Sequence, residues 1–166
     1  MRMGAAIGLG FVLLVVRATL LPVFGLAAIG PDLVLPLVVF YGATGRFAEG
    51  VVVTLVLGHL ADVMSGGTLG LHLYLYAVAF GLANLSHGRV DQAGSFVPCL
   101  MVFVISLVAG ASLALLYGLW GTAVPRPAGG PLASALLTAA FTFPMLPVLR
   151  KLQRISRRDD KLILPG

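Results

Sequence analysis

The sequence predicts an all-α polytopic membrane protein, a compact bundle of about six transmembrane helices, and three observations carry that prediction. Of 166 residues, 59% are hydrophobic and 10% are charged. Soluble domains run near 25% charged, so a globule in water could not cover this much apolar surface. Apolar segments recur along the chain, separated by proline, glycine and charge, and a bilayer core of about 30 Å takes roughly 20 helical residues per crossing. The basic residues also fall in a pattern that orients a membrane protein.

The segments lie near 3–22, 31–45, 47–63, 68–86, 95–120 and 131–150. The first opens like a secretory signal after Met1-Arg2, but Arg17 interrupts the apolar run and no small-x-small cleavage site follows, so it is expected to stay as a first helix. It ends at Pro22, which cannot continue helix hydrogen bonding. Gly25 and Gly30 then lead to Pro31-Asp32, where Asp32 is placed to cap a second helix. From Asp32 to Thr44 the chain is too short to cross an average bilayer upright. That segment must be bent, shielded by neighbouring helices, or set in thinned lipid. Glu49 opens the third segment, where its charge complements the helix dipole. Cys99 sits among Val97, Leu100 and Met101 as a packed thiol without an intramolecular partner.

With six spans, Arg2, Arg46, Arg89 and the tail residues Arg150, Lys151, Arg154, Arg157, Arg158 and Lys161 share one side, nine of the eleven basic residues. Only Arg126 falls opposite, and Arg17 lies within a span. The Lys/Arg bias therefore places both termini in the cytoplasm. Residues 1–150 form one six-helix domain and 151–166 a basic cytoplasmic tail. Leu149, Leu152 and Ile155 continue an apolar helical face while Arg150, Lys151, Arg154, Arg157 and Arg158 serve topology and anionic lipid headgroups. A net charge of +5 does not point to nucleic acid, because no base-reading or stacking motif accompanies it.

Small residues mark helix crossings in lipid, where apolar surface gains nothing by leaving the tails. Gly4 and Gly8 begin one stripe, and Ser106, Gly110, Ala114 and Gly118 make another. Either packs within the chain or receives a partner helix, and Arg17 is a further candidate for a partner contact, for pairing with Asp32 or Asp62, or for snorkelling. Ser134, Thr138 and Thr142 form a polar stripe suited to bonding backbone carbonyls. Tyr74 and Tyr76 are expected in an interfacial aromatic belt.

Most of the suspicious chemistry lies between His59 and His72. His59 and Asp62, three apart, would point from one helix face, and His72 could complete a metal or proton site. Zinc, however, generally takes three or four protein ligands, and no third carboxylate or thiolate is near in sequence. Ser65, His59 and Asp62 make a poor hydrolase, lacking a nucleophile elbow. The economical reading is structural: Asp62 accepts backbone N–H groups around a Ser65–Gly70 turn whose Gly66 and Gly70 permit left-handed dihedrals.

These motifs resemble the bacterial rod shape-determining MreD family. The resemblance rests on Pro31-Asp32-Leu33, on Gly58 through Gly66, and on Leu69-Gly70-Leu71-His72, with length, span number and basic tail in keeping. It implies a non-enzymatic inner-membrane subunit of the elongation complex, without a cofactor. The implied partners are MreC, MreB, RodA and its penicillin-binding transpeptidase. The resemblance also implies a fold like the substrate-binding S-components of vitamin transporters, which makes a vitamin-type transport subunit the alternative function. A homo-oligomer is a further partner class, since a small-residue surface can pair with itself.

Overall fold

The computed structural model describes residues 3–23, 31–43, 47–66, 69–86, 96–119 and 130–163. Among them six α-helices and no strand occur: α1 Met3–Val23, α2 Leu35–Ala43, α3 Phe47–Ser65, α4 Leu71–Leu85, α5 Phe96–Leu119 and α6 Gly130–Ile163. Each of the six apolar segments becomes one helix. By length and composition Phe47–Ser65, Val97–Leu119 and Leu132–Leu149 suffice to cross a membrane, while Met3–Thr19 and Leu71–Leu85 are shorter apolar stretches.

The shortest helix is the hub. α2 has 9 residues, a length of about 14 Å, and all of them except Phe40 are buried. It touches α3, α4, α5 and α6. Of the three ways to hold so short a segment, enclosure by neighbours is present. The physical requirement is the helix ends, whose free N–H and C=O groups are tolerated at membrane depth only where protein satisfies them. Around α2, α4 packs on α3, α5 packs on α6, and α1 packs on α3.

The close crossings use glycines outside the stripes read from the sequence. A Cβ on Gly58 of α3 would lie 2.7 Å from Leu73 Cα of α4. One on Gly42 of α2 would lie 2.8 Å from the Phe80 carbonyl oxygen of α4. Both approaches are to backbone, which cannot swing aside. By contrast a Cβ on Gly4, Gly8, Gly110 or Gly118 would meet nothing within 4 Å. Gly4, Gly8, Ala114 and Gly118 face away from the bundle, and Ser106 and Gly110 are half-buried. Close intrachain packing is therefore absent at the four stripe glycines, because the helices rotate other faces inward.

At the last helix, α6 continues without a break from its apolar part through Ile163, taking most of the basic tail into the same helix. Pro144 and Pro147 lie inside it, as Pro22 lies inside the last turn of α1.

A buried polar network at one end of the bundle

Every helix that begins inside an apolar medium needs acceptors for its first N–H groups, and two of them obtain these from aspartates. Asp32 precedes α2, and its Oδ1 accepts the N–H of Val34 at 3.0 Å and of Leu35 at 3.2 Å. This is an Asx-type start, with the carboxylate complementing the positive end of the helix dipole. Pro31 is fully buried beside it.

α4 has no capping side chain of its own. Its N-cap is Gly70, at φ 92°, preceded in the turn by Gly66 at φ 62°. Both are conformations that side chains with a Cβ rarely adopt. The cap is supplied from α3. Asp62 Oδ2 accepts Gly70 N–H at 2.9 Å and Leu73 N–H at 3.3 Å, while Oδ1 accepts His72 N–H at 2.7 Å. The Asp62 residue is 2% exposed. An aspartate eight residues upstream thus performs the work of an N-cap residue and ties the end of α3 to the start of α4.

His72 extends this clamp. Its Nδ1 lies 3.1 Å from Asp62 Oδ1, and its Nε2 lies 3.5 Å from Arg17 Nη2 of α1. A guanidinium has only donors, so Nε2 must be the accepting nitrogen and Nδ1 the one that carries hydrogen and donates to Asp62. Arg17 Nη1 lies 3.4 Å from Asp32 Oδ2. Tyr76, fully buried one turn after His72, donates its hydroxyl to Asp32 Oδ1 at 2.9 Å, and its ring meets the His72 imidazole edge-on. The Asp32 N–H is bonded to Thr138 Oγ1 of α6 at 3.0 Å. One chain of contacts therefore joins α3, α4, α1, the lead into α2, and α6.

The structure separates the residues that were grouped from the sequence. His59 faces outward from the middle of an otherwise apolar stripe, Val52, Leu55 and Val63, whereas Asp62 points inward. They do not share a face, because the α1 and α4 contacts turn α3 between them. Among the described residues no cluster of three or more metal-donor side chains occurs. The hydroxyl of Ser65 donates to the Asp62 backbone carbonyl at 3.0 Å, so Ser65, His59 and Asp62 do not converge. Arg17, considered for a partner contact, is engaged by Asp32 and His72 of its own chain.

On α6 the hydroxyls of Thr138 and Thr142 donate to the carbonyls of Ser134 and Thr138, each at 2.8 Å. Lys151 is exposed, and Arg150, Arg154, Arg157 and Arg158 follow the same helix, with side chains outside the described residues. Tyr76 corrects the aromatic-belt expectation: it is a network member rather than an interfacial ring. The signal that marks it is the buried face of α4, where His72, Tyr76, Ala79, Phe80 and Ala83 recur at helical spacing. A tyrosine on such a face needs a polar partner for its hydroxyl.

No curated protein and no solved structure matches this chain. The family model for the rod shape-determining protein MreD matches residues 3–155, nearly the whole length, and the chain belongs to that family, a family of cell-shape membrane proteins.

Proposed function

We propose that this chain is a non-enzymatic scaffold of the bacterial rod system, a multi-pass inner-membrane subunit with both termini in the cytoplasm. It holds the membrane helix of MreC and, through MreC, acts with MreB, RodA and its transpeptidase on lateral peptidoglycan synthesis. The reading is supported by the family, by the Lys/Arg bias, and above all by the stripe glycines, which have open space in front of them. A helix bearing Gly4 and Gly8, or Gly110 and Gly118, can admit a second backbone closely, which is how helices associate when lipid surrounds both.

The polar network supplies the other half of a scaffold. It fixes the relative rotation of five chain segments at one end of the bundle, so the outward faces are presented in one arrangement. A scaffold biases its partners only if its contacts favour one of their conformations over another. A rigid face makes such discrimination achievable.

The test is a pair of substitutions with membrane copurification. Gly8→Leu and Gly110→Leu start their side chains where a Cβ meets nothing of this chain within 4 Å, so thermal unfolding should change little. MreC recovery should fall about tenfold or more for whichever stripe is used, the loss expected when about 1.4 kcal/mol of packing is removed. Undiminished recovery with both variants would remove the stripes from the interface.

A further inference from the structure

The outer face of α3 carries a histidine among side chains that otherwise suit lipid. The helix turns Leu57, Gly58, Ala61 and Asp62 into the bundle, where it packs against α1, α2 and α4. On the opposite side Val52, His59 and Val63 are exposed and Val56 is half-buried. Among the described residues the His59 imidazole has no hydrogen-bond partner.

Depth makes this costly. The 19 residues of α3 span about 28 Å, close to the 30 Å core of a bilayer, and His59 lies six residues, about 9 Å, before the end at Ser65. Val63 and Met64 continue the exposed apolar surface beyond it. Helical side chains lean toward the N-terminus, so the imidazole points away from the nearer interface and cannot reach the headgroups by extending. Ionisable side chains in spans almost always face protein or water.

The spacing on this face identifies what covers it. Val52, Val56, His59 and Val63 are four, three and four residues apart, the a/d repeat that seats one helix against another, with a single polar residue to fix the register. Copies of one chain insert the same way round, so a two-fold axis between them stands along the membrane normal and brings each residue level with itself. A neutral imidazole holds one donor and one acceptor, and so complements its own copy. A different protein would have to bring a polar group to the same depth.

We propose that this chain pairs with a second copy through the outer face of α3, the two helices parallel, with His59 of one copy hydrogen-bonded to the partner's His59 and the valines packed above and below. This surface is separate from the small-residue stripes of α1 and α5, so it stands whether or not those stripes hold MreC.

The experiment uses the full chain in liposomes, labelled at its C-terminus with donor or acceptor dyes, and follows energy transfer as lipid is added. Transfer should report a dimer, and His59→Ala should weaken it about threefold to tenfold, the range given by one interhelical hydrogen bond in lipid. His59→Asn, whose amide also donates and accepts, should retain it. In a Cys99→Ala background, Val56→Cys and Val63→Cys should each give a disulfide-linked dimer when oxidised with copper phenanthroline. Leu115→Cys and Phe143→Cys, exposed on α5 and α6, should not.

Should the cysteine variants fail to fold, the dilution series of the parent and the two His59 variants decides the matter. Transfer no greater than that of a non-interacting membrane protein, equal affinity of the parent and His59→Ala, or equal losses with asparagine and alanine would each overturn the proposal. So would crosslinks through α5 or α6 in place of α3, or capture of a different protein by a photoreactive residue at position 63 in native membranes.

Discussion

Replacing Asp62 by asparagine keeps the size of the side chain and removes one acceptor oxygen. In the parent, Oδ1 takes the His72 backbone N–H and lies against its Nδ1, while Oδ2 takes the N–H groups of Gly70 and Leu73. However the amide is turned, its NH2 faces two N–H donors. Moving the His72 hydrogen to Nε2 would free Nδ1 to accept, but would aim an N–H at the Arg17 guanidinium. Each buried donor left without a partner costs about 1–3 kcal/mol, so Asp62→Asn should lose about 3 kcal/mol, the weaker 3.3 Å bond to Leu73 keeping it below the upper bound. Asp62→Ala should lose as much or more. At roughly 2–4 °C per kcal/mol for a chain of this size, the asparagine variant should unfold about 6–12 °C below the parent. Thermal melts in one detergent, followed by helical circular dichroism, measure this. An Asp62→Asn melt that coincides with the parent would refute the view that both oxygens cap α4.

Three further outcomes follow from the same geometry. Tyr76→Phe should lower stability by about 1–2 kcal/mol, since a hydroxyl bond to a carboxylate disappears, and Arg17→Met should couple to it by at least about 0.5 kcal/mol because both act on Asp32; a double-mutant cycle of melts gives the number, and strict additivity would break the network apart. Gly58→Ala should destabilise by about 1–3 kcal/mol because its Cβ runs into the Leu73 backbone, whereas Gly8→Ala, in open space, should be neutral or mildly stabilising; the same loss at both positions would show that helix propensity or flexibility, not contact, matters. His59→Ala should leave the melt within about 0.5 kcal/mol of the parent, as expected of an outward-facing side chain outside the network; a drop like that of Asp62→Asn would place His59 in the core.

The network has a use beyond cohesion. α2 is too short to reach both interfaces and α4 starts on a glycine, so each would expose free backbone donors to lipid. Asp32 and Asp62 answer that problem, Arg17 then compensates charge that the caps bring into the protein, and His72 gives Asp62 a further hydrogen bond. One set of side chains thus serves helix starts and helix rotation together.

The division between what the sequence and the tertiary structure decide is physical. Transfer from water to lipid acts on the summed composition of about 20 consecutive residues, so the membrane setting and the six helical segments were legible in one dimension. The Gly66–Gly70 turn and the capping roles of Asp32 and Asp62 were legible too, because backbone conformation and N–H capping are local needs. Which polar groups meet is not local: Arg17 reaches His72 across 55 positions, Tyr76 reaches Asp32 across 44, and Asp32 reaches Thr138 across 106. Those pairings depend on how far each helix is turned about its axis, and helices hydrophobic on nearly every face carry little in their pattern to state that angle. The α3–α4 approach at Gly58 and the α2–α4 approach at Gly42 go with an outward His59 and a buried Tyr76, while α1 and α5 turn Gly4, Gly8 and Gly118 away from the bundle, choices that only the assembled bundle could make.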